Sequence, residues 1–191
     1  MDTVEPVPVR PVRVASSADS DLARIQSFLA PSTITDKHLL ACTCVVENTL
    51  PIDVTVLEVR ASSPTADLQE ALTINERGFD PAALDVTAEA SERFRPSLEG
   101  GGAIIVRWRD VGVSTGMWLP ISSGVTELVG ITTLQEFRRN GFGLTTVVAL
   151  TSAAVHMGAD LVFLTTNDLG AHGVYRRAGY RDVELQGSAT E

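Results

Sequence analysis

The sequence predicts an α/β domain preceded by an N-terminal extension, and three observations carry that prediction. Strand-like and helix-like stretches alternate along most of the 191 residues. Residues 125 to 164 run strand, glycine-bearing loop, helix, strand. Apolar residues make up 44% and charged residues 20% of the chain, the balance of a globular protein with a core to bury and not of a disordered tract.

Residues 1 to 50 are expected to form the extension, a short helix and a strand, with the main domain over 51 to 191. Pro6, Pro8 and Pro11 predict an extended start. A helix over Asp21 to Leu29 follows, capped by Ser20 and stopped before Pro31. Strands are expected over Leu39 to Glu47 and Val54 to Arg60. Ser62-Ser63-Pro64 opens a helix to about Glu76, and Pro81 a second helix through Phe94. After Gly100-Gly101-Gly102, Ala103 to Arg109 and Val113 to Leu119 form a hairpin, and Val125 to Thr133 another strand. The helix after Gly143 carries Leu144, Val147, Val148, Thr151, Ala154 and Val155 on one face. Leu161 to Leu164 is a continuous apolar run, as suits a strand buried on both faces. Asn167 can cap a last helix closed by Gly179, and Tyr180 to Leu185 makes a final strand.

Charge narrows the chemistry. The net charge is −9, of which −8 falls on residues 1 to 100, so nucleic acid is a poor partner. Lys37 is the only lysine, and His38 follows it with no glycine loop ahead, which excludes a Walker A loop and disfavours a pyridoxal Schiff base. No run of about twenty apolar residues exists, so no membrane span is expected. The acidic, proline-bearing start is unlike a secretory signal, which predicts a cytoplasmic location. Cys42 and Cys44 alternate with Leu40 and Val46 on one strand face; with His38 they give three candidate ligands and no fourth, so no metal is expected.

The glycine-bearing loop is the main chemical feature. Such a loop leaves backbone N–H groups free at the positive end of a helix dipole and can hold a diphosphate. Gly141 and Gly143 permit close approach, and Arg138 and Arg139 add positive charge. A dinucleotide-binding turn fits poorly, because its third glycine position is Thr146 and Leu134 to Asn140 separate strand from loop. Gly112-Val113-Ser114-Thr115-Gly116 matches a hydrolase nucleophile motif, with Asp160 and His172 downstream, but Ser114 falls in a hairpin strand where no nucleophile elbow forms.

Glu127 to Gly143 resembles the acetyl-coenzyme A motif of the GNAT superfamily of N-acetyltransferases. The pattern is Gln/Arg-x-x-Gly-x-Gly/Ala, and Arg138, Gly141 and Gly143 fill it. Asn167 to Tyr180 resembles the family's second motif, an asparagine, an alanine and a tyrosine before a closing Gly-Tyr. The resemblance covers roughly residues 125 to 185. It implies a mixed, partly splayed sheet flanked by helices, with acetyl-CoA as cosubstrate lodged where two strands diverge, and no metal. Backbone amides of Arg138, Arg139, Asn140, Gly141, Phe142, Gly143 and Leu144 would hold the diphosphate. Ile131, Thr132 and Thr133 would present main-chain groups to the pantetheine arm, and Asn167 would sit beside the cofactor.

By the same analogy Tyr175 serves as general acid and Glu127 as general base. Glu127 alternates with Val129 and Ile131, so its carboxylate lies on an apolar face unless a bulge near Gly130 changes the phase; burial would raise its pKa. His156 and His172 match neither motif; Arg176 and Arg177 are placed either to reach an outer phosphate of the coenzyme or to form a polar helix face. The implied activity is acetyl transfer to a primary amine of a small molecule or peptide by direct attack in a ternary complex. A non-catalytic acyl-CoA sensor or assembly module is the alternative. The acceptor is expected between the early helices and the sheet, over Leu68 to Phe94, where acidic residues would suit a cationic amine. The resemblance implies a further strand beyond the last one here, which many members of the family carry. A strand from the first fifty residues, or a second subunit in a homodimer, is expected to cover that sheet edge.

Overall fold

The computed structural model describes residues 18–29, 37–43 and 52–183. Five helices and seven strands follow in the order α1 (Ala18–Phe28), β1 (His38–Cys42), β2 (Val54–Val59), α2 (Thr65–Phe79), α3 (Ala88–Phe94), β3 (Gly102–Trp108), β4 (Val111–Trp118), β5 (Val125–Thr133), α4 (Phe142–His156), β6 (Leu161–Thr166), α5 (Leu169–Arg177) and β7 (Arg181–Asp182). The strands form one mixed sheet in the order β2-β3-β4-β5-β6-β1-β7. Only β5 and β6 are parallel; the other neighbours are antiparallel. None of the described helices is long and apolar enough to cross a membrane.

Period-two alternation sorts the strands' side chains onto two faces. Ile104, Val106, Leu128, Val162 and Leu164 pack beneath α4 and α5. Their sequence neighbours turn the other way. Ala103 and Ile105 meet α2, and Leu161 and Phe163 meet α1. The continuous apolar run of β6 is therefore covered on both faces, as its composition requires.

The sheet edge beyond β6 is closed from within the chain. Leu39 pairs with Thr165 and Ala41 with Phe163, so β1 runs antiparallel to β6, and β7 adds on its far side. A strand from the first fifty residues thus covers the β6 edge, inserted between β6 and β7, while β7 is the outermost described strand on that side. Cys42 shares the α4 face with Leu40, as the alternation predicted, whereas Cys44 lies outside the described residues, as do the later parts of the strands expected to Glu47 and Leu185.

Several helix starts differ from the sequence reading. Helix α1 begins at Ala18, so Ser20 lies inside it and does not cap it, and α4 begins at Phe142, ahead of Gly143. Pro81 lies in a turn, and α3 begins only at Ala88, where the Thr87 hydroxyl accepts from the Ala90 amide at 3.1 Å. Asp168, not Asn167, caps α5: its Oδ1 accepts from Gly170 N at 2.6 Å and Ala171 N at 3.2 Å. Asp is as good a cap as Asn, and the two adjacent candidates gave no basis for ranking them. Gly179, at φ +91°, ends the helix as expected.

Helix α2 lies close against β5 because residue 78 has no side chain. A Cβ on Gly78 would sit 2.8 Å from the Cβ of buried Thr132. Gly78→Ala is expected to cost about 1–3 kcal/mol through overpacking, more than the about 1 kcal/mol that alanine gains in a helix. Thermal unfolding checks this; a higher melting temperature would mean that α2 slides freely.

Candidate functional site

The parting of β5 from β6 creates the site. The two strands pair only from Val125 opposite Leu161 to Glu127 opposite Phe163. Beyond that point β5 stays with β4 while β6 stays with β1, and a wedge opens between them. Glu127 stands at its apex.

A bulge sets which groups face the wedge. Thr115 of β4 pairs with Thr132, but Met117 pairs with Val129, so Gly130 and Ile131 together oppose Gly116. Gly130 takes φ +61°, an angle open to glycine at little cost. Asn75 of α2 donates to its carbonyl at 2.6 Å and holds the bulge in place. The phase changes here, as the sequence reading allowed. Glu127 and Val129 face α1 and α2, while Ile131 and Thr133 face α4.

Glu127 is half-buried on the face shared with Val125, Leu161 and Phe163. Burial pushes its carboxyl above the ordinary range; the Lys37 ammonium and a hydrogen bond from Thr165 pull the other way. Thr165 lies two residues beyond Phe163 on the same face of β6, a diagonal neighbour across the diverging strands. Lys37 and Thr165 escaped the sequence reading because their approach depends on the β5–β6 and β6–β1 registers.

The glycine loop lies at the wide end of the wedge. Gly141 takes φ +87° at the N-cap of α4, and no side chain caps that helix. The first intrahelical bond runs from Thr145 N to Gly141 O at 3.0 Å. Among the described residues, none of the backbone N–H groups from Arg139 to Leu144 donates to a protein acceptor. The run begins one residue later than expected, because Arg138 N donates to Gln135 O at 3.3 Å. Above the loop there is room. Nothing lies within 4 Å of a Cβ placed on Gly141, and only Thr133 Oγ1, at 3.4 Å, meets one on Gly143. Unpaired donors, a helix dipole and open space together suit a diphosphate.

Side chains around the loop shape it. The Arg138 guanidinium donates to Thr133 O at 3.0 Å and Gly78 O at 2.8 Å, tying β5 to the carboxyl end of α2. Asn140 Nδ2 donates to the carbonyls of Phe137 and Arg138 at 3.2 and 3.1 Å. Phe142 is buried against Trp108 and Phe137 and anchors the first turn of α4. Arg139, with φ +68°, completes the turn. The positive charge expected of Arg138 is thus spent on backbone carbonyls, a demand set by tertiary structure that the motif does not reveal.

Tyr175 projects from α5 into the core beneath α4 and is 7% exposed. Its ring lies 6.4 Å from that of Tyr180, and Tyr180 bonds to Thr151. The Tyr175 hydroxyl has no hydrogen-bond partner among the described residues, yet it is not sealed from solvent. Burial, helped by the Asp168 charge, pushes its pKa up to about 12. Asn167 is exposed at the end of β6, one residue ahead of the α5 cap.

Two other readings are settled by partners. Ser114 is fully buried and bonds Thr132 O, Thr133 and Thr146, while Asp160 pairs with Arg24 and His172 with Asp182; no hydrolase triad assembles. The acids of α2 and α3 are mostly neutralised in place: Asp67 and Glu70 by Arg107, Glu89 by Arg93, Glu92 by Arg95. Between these helices and the sheet lies only a gap with room for about one water, lined by Leu68, Leu72, Asn75, Phe94, Thr115 and Met117.

A family profile described as FR47-like protein matches residues 116–186, the stretch holding β5, the loop, α4 and α5. The structure resembles a GCN5-related N-acetyltransferase from Kribbella flavida with a TM-score of 0.63 and 31% identity, over 78% of this chain and 55% of that one. A GCN5-related N-acetyltransferase from Sphaerobacter thermophilus aligns at 0.58 and 18% identity, over 90% of this chain and 55% of that one. An aminoglycoside acetyltransferase from an uncultured soil metagenomic sample, in complex with trehalose, aligns at 0.56 and 13%, over 73% and 91%. The chain spans about half the length of the first two. No curated protein matches the sequence. The open mixed sheet, the wedge between its parallel strands and these likenesses agree: the chain belongs to the GNAT superfamily, whose fold supports acyl transfer.

Proposed function

We propose that the protein is an N-acetyltransferase that moves an acetyl group from acetyl-CoA to a primary amine of a small molecule or peptide, by direct attack in a ternary complex. The observation that carries this reading is the run of unpaired backbone N–H groups from Arg139 to Leu144 at the uncapped start of α4. A diphosphate satisfies such a run with no cationic side chain, which fits an acidic protein whose Arg138 is otherwise engaged. Bound acetyl-CoA would supply an acyl group activated as a thioester.

The chain's own groups then divide the work. Main-chain groups of Ile131, Thr132 and Thr133 line the wedge where β5 leaves β6 and would orient the pantetheine arm, with Asn167 at the opposite wall. Glu127 at the apex would take a proton from the attacking ammonium, directly or through water. Tyr175 would present its unpaired phenolic proton to the departing sulfur.

Calorimetric titration of the full chain with coenzyme A should show one-to-one binding, and a panel of primary amines should release free thiol from acetyl-CoA. Binding without release across the panel would leave a non-catalytic acyl-CoA module. Absence of binding would remove the reading altogether.

A further inference from the structure

We propose that His38, His172 and Asp182 form a binding site for a divalent transition-metal ion, of which Zn²⁺ is the prime candidate. One ligand atom from each of these residues lies within 4.8 Å of the others. They come from three elements: His38 opens β1, His172 lies on α5 and Asp182 ends β7. The convergence follows from the fold. Alternation puts His38 on the face of Leu40, the register sets Asp182 opposite Leu40, and α5 packs over that same face.

The donor set is that of a transition ion. Two imidazoles and a carboxylate suit Zn²⁺, Ni²⁺ or Cu²⁺, whereas Mg²⁺ and Ca²⁺ prefer oxygen alone. Bonds of about 2.0–2.1 Å place neighbouring ligand atoms about 3–3.4 Å apart, so the three residues need close in by only about 1.5 Å. His172 Nε2 already donates to Asp182 Oδ1 at 2.6 Å, and the two histidine rings lie 5.1 Å apart. Arg176 donates to Asp182 Oδ2 at 3.2 Å, which orients the carboxylate and leaves Oδ1 turned to the histidines. His38 is exposed and has no hydrogen-bond partner among the described residues. On binding, the single N–H of the neutral His172 ring moves to Nδ1, which frees Nε2 for the ion beside Oδ1. With three protein ligands, the remaining positions stay open to water or to a ligand group.

The ion would clamp the N-terminal strand to the last helix. His172 lies one turn ahead of Tyr175, so the clamp would fix the helix that carries the candidate acid.

The test uses the full chain after chelator treatment. Titration with Zn²⁺ should saturate at one equivalent and raise the melting temperature; Co²⁺ should give weak visible bands free of thiolate charge transfer. His38→Ala breaks no hydrogen bond, so it should leave the metal-free melting temperature unchanged. It should also lose at least the roughly tenfold affinity that even outer-shell partners contribute. His172→Gln should weaken binding likewise, and His156→Ala should leave it intact. Zinc affinity unchanged by His38→Ala, or a thiolate charge-transfer band pointing to Cys42 and Cys44, would overturn the site.

Discussion

Glu127→Gln is expected to lower kcat/KM by about a hundredfold, the low end of what a positioned general base contributes. The same change should leave the fold as stable as before or more so at neutral pH. Burial raises the carboxyl's pKa in the folded protein, so ionised Glu127 is held against its preference. A group raised in this way favours the fold below the unfolded pKa, and that contribution is lost as pH climbs through the raised folded value. At neutral pH the ionised carboxylate is therefore a net cost that glutamine removes, while the amide oxygen can still accept from Thr165. Kinetics and thermal unfolding on the same sample check the pair of outcomes. Parallel losses of activity and stability would mark Glu127 as a packing residue only.

The pH profile gives a sharper reading. The base must be ionised to act, so kcat/KM should rise with pH through the raised value, and the midpoint should lie above the ordinary glutamate range near 4.5. Lys37 holds that value down by its charge. Lys37→Met should therefore move the limb to higher pH without abolishing it, whereas Glu127→Gln should remove it. An unmoved limb in the Lys37 variant would mean that another group titrates.

Legibility in the sequence tracks how local each determinant is. The strand Val125–Thr133 and the helix following the glycine loop, placed two residues late, were readable because alternation, glycine spacing and helix periodicity are written within a dozen residues. The bulge at Gly130 was foreseen as a contingency, since only pairing with β4 decides it. By contrast, the engagement of Arg138 with Thr133 and Gly78, and the approach of Lys37 to Glu127, join positions far apart in the chain. No spacing rule reports such contacts. The acids of α2 and α3 show the same limit: composition suggested a surface for cations, while Arg107, Arg93 and Arg95 neutralise it locally. Function-bearing backbone was legible, and the side chains that hold it were not.

Tyr175→Phe is expected to lower kcat by about ten- to hundredfold while sparing coenzyme affinity and stability, and relative acidity sets that size. A phenol held at about 12 faces a thiol whose ordinary pKa is about 8.5, so outright transfer of its proton to the thiolate is uphill by roughly 5 kcal/mol. Tyr175 therefore acts mainly by donating a hydrogen bond as charge develops on sulfur. A hydrogen bond to a charged group is worth about 1.5–3 kcal/mol, which converts to the stated range and not to the larger losses of a full acid. Stability should hold because phenylalanine keeps the ring among the same neighbours and removes an oxygen that bonds no described residue. Steady-state kinetics, coenzyme A calorimetry and thermal unfolding read the three quantities separately. A loss far beyond a hundredfold with affinity intact would show that the phenol's pKa falls in the ternary complex, making it a true acid, whereas an unchanged kcat would place the proton donor elsewhere.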